Sequence, residues 1–184
     1  MNAKVQIQFP EQSIPFYSVA DIISAYSLAS EAATQLRTLI NQIGKAATFV
    51  KTYAEERSFD NSIFTEIENL IAISLQLSNS HADICSAEIN RHRQAPYDQY
   101  DAGDLFGAYS LAQENTSWLE TLISQIKIEV ELSKETVKDV IHSAVFAPLE
   151  HLINIAEYLA ETNVGTFSTE SEKYEAEWET SKNG

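Results

Sequence analysis

Apolar residues recur along the first third of the chain in alternating steps of four and three: Ile22, Tyr26, Ala29, Ala33, Leu36, Ile40, Ile43, Ala47, Val50 and Ala54. That rhythm holds one stripe on one side of a helix and is the heptad seam of helices crossing at a shallow angle. Ile23 and Leu39 widen the stripe, as a helix with two neighbours requires. The spacing predicts a helix from Ser18 to about Glu56, with Ser18 as N-cap and Asp21 completing a variant of the capping box. Gly44, inside this helix, marks a bend or a close approach.

The seam returns as Leu105, Tyr109, Ala112, Thr116, Leu119, Ile123, Ile126 and Val130, then Val137 and Ile141. Residues 20–43 align with residues 103–126 without a gap, at an offset of 83, with 13 identities in 24 positions and the run AYSLA in common. Asp101 and Asp104 repeat the cap. A weaker echo follows at offset 82, where Phe64, Glu68, Leu70, Ile71, Ile73 and Leu77 match Phe146, Glu150, Leu152, Ile153, Ile155 and Leu159. The change of offset places the loss of one residue in or near the turn that joins the two helices of each unit.

Between the copies of the seam, SFDNS at residues 58–62 reads as a turn. A second helix follows with Ile63, Ile67, Leu70, Ile71, Leu77 and Ile84 inward, interrupted by Ser74 and His81. It stops before Pro96. Tyr97 and Tyr100 in the linker are placed to cover one end of the bundle. A fourth helix is expected from about Ala147 to Thr162, with Pro148 in its first turn, Leu149, Leu152, Ile153, Ala156 and Leu159 inward, and Gly165 just past its end.

These elements predict an all-α fold: a four-helix bundle of long antiparallel helices, made from an internally duplicated helical hairpin with pseudo-twofold symmetry. Residues 1–165 are expected to form one domain, with repeat one at about 18–93 and repeat two at about 101–163. Each half alone would be a hairpin with an uncovered apolar face. Residues 4–9 alternate through Val5, Ile7 and Phe9 and predict a short extended N-terminal arm. Residues 166–184 read as an acidic C-terminal tail, disordered or a loosely docked helix, with Phe167, Tyr174 and Trp178 as isolated aromatics.

Composition sharpens this picture. Five Gly and four Pro in 184 residues suit long helices. The net charge of −15 is uneven: residues 1–95 hold 10 acids against 7 bases, and residues 96–184 hold 17 against 5. Such a balance argues against direct nucleic-acid binding, which draws its affinity from Lys and Arg, and favours a basic partner if any charge-matched one exists. Cys85 is the one cysteine, which fits a reducing compartment. With no signal-peptide pattern and no membrane-length apolar run, a cytoplasmic location and no membrane partner are expected.

Candidate chemistry is sparse. His81, Cys85, Glu88 and His92 share one helix face and are zinc ligands by type, yet His81 and His92 stand about 16 Å apart along the axis at 1.5 Å per residue. No metal, cofactor or catalytic residue is therefore assigned. Glu68 and Glu150, the carboxylates common to both copies, read as exposed residues beside the seam, and His142 and His151 lack a nucleophile nearby. Tyr26 and Tyr109, repeated on the seam, are the candidate binding residues; a buried tyrosine needs a hydroxyl partner, for which Ser27, Ser30, Ser110 and Gln113 are in reach. The expected function is a non-enzymatic protein–protein interaction or adaptor bundle with a protein partner, and a homodimer is compatible with it. The alternatives are an acidic inhibitor that mimics nucleic acid and blocks a basic nucleic-acid-binding protein, and a bundle that holds a small apolar ligand.

Overall fold

A computed structural model describes residues 16–97 and 99–182, so the alternating stretch at residues 4–9 lies outside the described residues. The described residues form four long helices: α1 Val19–Glu55, α2 Thr65–Gln94, α3 Ala102–Val137 and α4 Ala147–Lys182. Short 3-10 turns, Asn61–Phe64 and Ser143–Val145, lead into α2 and α4. No strand occurs among the described residues; one isolated bridge joins Tyr17 to Tyr100.

Local chemistry sets the helix ends. Ser18 accepts from the Asp21 amide while Asp21 accepts from the Ser18 amide, and Asp101 and Asp104 do the same at the start of α3. After α1, the Phe59 amide reaches the Ala54 carbonyl (3.1 Å) and the Ser58 amide reaches that of Glu55 (2.8 Å), a Schellman turn with Ser58 left-handed at φ 59°. After α3, the Ile141 amide bonds the Val137 carbonyl at 2.8 Å. The first turn therefore spans five residues from Ala54 to Phe59 and the second four from Val137 to Ile141, which is where the offset changes from 83 to 82.

The central pair is α1 with α3; α2 lies against α1, and α4 against α3. Contacts climb α1 as they descend α2: Tyr26 with His92, Arg37 with Asn79, Lys51 with Glu68. They do the same between α3 and α4: Phe106 with Trp178, Ser110 with Ser171, Lys127 with Glu157. Leu36, Ile40, Ile43, Leu119, Ile123 and Ile126 are almost wholly buried and contribute about 1.5–3 kcal/mol each to the apolar driving force. Every buried position of α1, from Ile22 to Ala54, has a buried counterpart in α3 at offset 83. In the outer pair, Ile67, Ile71, Ser74, Ser78, Cys85 and His92 correspond at offset 82 to Leu149, Ile153, Ala156, Ala160, Phe167 and Tyr174, all buried.

Three sequence expectations change. The expected tail, disordered or loosely docked, is the distal half of α4, because Phe167 and Tyr174 continue the seven-residue spacing from Ala160 and are buried against the other helices. Gly165 is crossed without a break, having ordinary helical backbone. Gly103 lies so close beneath Trp178 that a Cβ there would come within 2.7 Å of the indole Nε1, which fixes the end of α4 beside the start of α3.

The buried face of α2 is also rotated from the expected one. Ser74, Ser78 and His81 are in the core, and Ile84 points outward. Ser74 and Ser78 donate to the carbonyls of Leu70 and Leu75 in their own helix, so their hydroxyls are satisfied without a partner across the core. Ala25, Ala32 and Ala108 occupy the seam where α1 meets α3, and Tyr26 and Tyr109 flank it half-buried. Gly44 proves to be a close contact: a Cβ there would stand 3.3 Å from Ile71 Cγ2.

Candidate functional site

A cluster of aromatic rings gathers at the end where α1 and α3 begin. Ala25, Ala29, Ala108 and Ala112 leave room there between the central helices, and the larger rings pack around them. Tyr26 stacks on His92 of α2, with ring centroids 5.9 Å apart and planes 22° apart. Tyr109 stacks on Tyr174 of α4 at 5.6 Å and 4°. Each candidate tyrosine thus pairs with a ring of its own neighbouring helix, and the partners sit at corresponding positions. Among the described residues neither hydroxyl bonds to Ser27, Ser30, Ser110 or Gln113; Ser110 instead meets Ser171 at 2.8 Å.

Tyr17 and Tyr100, the residues just before the two N-caps, exchange backbone hydrogen bonds: the Tyr17 amide to the Tyr100 carbonyl at 2.9 Å and the Tyr100 amide to the Tyr17 carbonyl at 3.4 Å. Tyr100 is fully buried, whereas Tyr97 stays exposed. The Tyr100 hydroxyl accepts from the Tyr97 amide at 3.1 Å and meets His92 Nδ1 at 2.9 Å. His92 Nε2 lies 3.2 Å from Arg91 Nη2. A guanidinium only donates, so Nε2 accepts and the proton sits on Nδ1, giving a neutral ring that donates to Tyr100. Burial and then the Arg91 charge hold His92 below its ordinary pKa, against the pull of Glu88. Tyr17 donates to Glu177, and burial followed by that carboxylate pushes its phenol up to about 12.

The four residues of the metal-type pattern are separated by function. His81 faces Trp118 of α3 at 6.1 Å, and Cys85 is buried among Ala29, Ala32 and Phe167. Glu88 pairs with Arg91, and His92 serves the tyrosine cluster. Burial pushes the Cys85 thiol up to about 11, so it stays protonated and poorly nucleophilic at neutral pH. Among the described residues no three His, Cys, Asp or Glu side chains converge on one point. Glu68 and Glu150 each bind a lysine, Lys51 and Lys134, at corresponding positions of α1 and α3. His142 caps the second 3-10 turn by accepting from the Ala144 amide at 3.2 Å, while His151 is exposed. A depression of about 220 Å3 between α3 and α4 is lined by Lys127, Glu131, Lys134 and Glu150 beside Val130 and Ile153, a charged rim rather than an apolar chamber.

The feature that sequence reasoning missed lies on the surface. Ile73, Ile84, Trp118, Ile128 and Leu132 are each 42–56% exposed along α2 and α3. The signal in the sequence is the seven-residue series Ile63, Leu70, Leu77 and Ile84, a second apolar stripe on α2 whose last member lies outside the core rather than in it.

Compared with known proteins, the chain matches no family model, no curated protein and no solved structure. Among the described residues no helix is long and apolar enough to cross a membrane.

Proposed function

We propose that this chain is a non-enzymatic interaction or adaptor protein, a rigid acidic bundle descended from a duplicated antiparallel hairpin. The observation that carries the reading is the use made of the reactive side chains. Cys85, His81 and His92 are enclosed in packing, Glu68 and Glu150 are tied to lysines, and large apolar side chains are left open on the flanks of a well-filled core. Such a surface, with the chemistry enclosed beneath it, suits contact with another protein better than catalysis. Duplication and an approximate dyad are supported by the matched burial at offsets 83 and 82, the paired Lys–Glu bridges, and the reciprocal Tyr17–Tyr100 hydrogen bonds. Tyr26 and Tyr109 are partly buried and stacked on His92 and Tyr174, so a role in binding a partner would rest on the part of each residue that stays exposed.

The nucleic-acid-mimic alternative is weakened by charge placement. Lys127, Lys134, Lys138 and Lys173 each pair with a glutamate on or between α3 and α4, so lysines interrupt the acidic surface at four places where a mimic needs unbroken rows of acid. The ligand-binding alternative draws no support from a depression rimmed by charge.

Affinity capture from the source cells with the tagged full chain, paired with a broad substrate screen on the purified protein, tests the reading. A stoichiometric protein partner and no turnover are expected. Turnover by a protein that captures nothing overturns it.

A further inference from the structure

The two outer faces of the bundle, α2 with α3 and α4 with α1, correspond position by position but differ in chemistry. Where the first carries Ile84, Trp118 and Ile128, the second carries Thr166, Gln35 and Lys45 at offsets 82 and 83. Both faces expose two matched apolar residues, Ile73 with Ile155 and Leu132 with Phe49. The second pair of helices exposes Leu28 and Tyr158 besides, so the two sides differ in position rather than in having apolar exposure at all: packing within the fold leaves unexplained why Ile84, Trp118 and Ile128 are apolar where their counterparts are polar.

The α2–α3 face also follows heptad spacing. Leu70, Leu77 and Ile84 recur every seven residues on α2, the first two resting partly buried against the core and the third open. On α3, Trp118 and Leu132 stand two heptads apart, with the exposed Gln125 at the heptad position between them and Ile128 one turn before Leu132. The helices meet along this line, with His81 beside Trp118 at one point and the Ser133 hydroxyl on the Ile63 carbonyl at 3.2 Å at another. Two heptad stripes side by side form the receptor half of a helix-in-groove contact.

Charge selects the occupant. Glu66 precedes Leu70 by one turn, Glu114 precedes Trp118 by one turn, and Glu129 lies between Ile128 and Leu132; the first two are exposed. No Lys or Arg lies on α2 between Thr65 and Ile89, and the two lysines of α3 turn the other way to meet α4 at Glu157 and Glu150. A second copy of this chain would bring acid against acid at the rim. Resting on the adaptor reading, we infer that the α2–α3 groove docks an amphipathic helix of a partner protein whose apolar stripe is flanked by lysine or arginine.

The test uses the full chain and an 18-residue synthetic helix with leucines at i, i+3, i+4 and i+7 and lysines beside them, followed by tryptophan fluorescence and calorimetry. Saturable binding with a blue shift of Trp118 is expected, at least tenfold weaker for a scrambled peptide of the same composition. Leu132→Glu and, separately, Ile84→Glu are expected to weaken it tenfold or more, and Phe49→Glu on the other face to leave it unchanged. Glu66→Lys with Glu114→Lys is expected to weaken the lysine peptide and admit one flanked by glutamate, a reversal that misfolding cannot produce. Equal binding of the scrambled peptide, equal loss with Phe49→Glu, or self-association abolished by Leu132→Glu each overturns the assignment. A captured partner that binds through other residues overturns this groove while leaving the adaptor reading standing; turnover overturns that reading itself.

Discussion

At Ser58 the backbone takes φ 59°, where a Cβ crowds the following carbonyl at a cost of about 1–2 kcal/mol. The Schellman bonds of Ala54 and Glu55 hold it there, so the strain persists because the turn needs the geometry and not the serine. Ser58→Gly is expected to raise stability by about 0.5–1 kcal/mol after the extra entropy that glycine loses, read as a higher urea midpoint at unchanged slope. Two histidines make the opposite kind of statement. His81 is held below its ordinary value of 6.5 by burial, with an unpartnered Nδ1, and His92 by burial and Arg91. Because the folded state keeps both rings neutral, their stability is fully present above about pH 6.5 and is lost as the pH falls below it. Unfolding measured from pH 7.5 to 5 is expected to show a loss that the His81→Gln, His92→Gln variant lacks. The caps at Ser18 and Asp101 were legible in the sequence because each cap and its partner are three residues apart. The environments of His81 and His92 were not, since Trp118 and Tyr100 reach them only through the fold.

At the scale of one helix, α4 tests how far a periodic pattern survives a biased composition. Its last third is dense in glutamate, and that density hides the seven-residue steps from Ala160 to Phe167 to Tyr174. The corresponding positions in α2 are Ser78, Cys85 and His92, so none of these three buried positions is identical between the copies, although burial is matched. Ser78 with Ala160 stays small and His92 with Tyr174 stays a ring, while Cys85 gives way to the larger Phe167 at a position that is buried in both copies. Phe167→Ala is expected to cost about 3–5 kcal/mol, as for any large buried aromatic, whereas Glu172→Gln and Glu175→Gln on the exposed side should stay within about 0.5 kcal/mol. Denaturant titration of the three variants checks this. Equal, small effects would mean that the distal half of α4 contributes little to the fold.

For the whole molecule, the decisive question is where the core belongs. Leu36, Ile40 and Ile43 of α1 and Leu119, Ile123 and Ile126 of α3 are buried in one cluster that draws on all four helices, so neither half closes its own core. This much was legible in the sequence, because the heptad seam of each central helix is wider than one partner covers; which outer face stays open was not, because α2 carries two apolar stripes and spacing cannot rank them. The physical consequence is that residues 1–95 and 96–184, produced separately, should each show weak helicity and a tendency to associate, and should regain the circular dichroism and single cooperative melt of the intact chain when mixed one to one. Both halves are negative, −3 and −12 from the counts of acids and bases, so charge opposes the reunion and apolar burial drives it. Recombination is therefore expected to tighten as salt rises from about 0.05 to 0.5 M, since screening removes the repulsion and leaves the apolar contact intact. Halves that each melt cooperatively alone, or a mixture that falls apart as salt is added, would place the stabilising contacts within each hairpin rather than between α1 and α3.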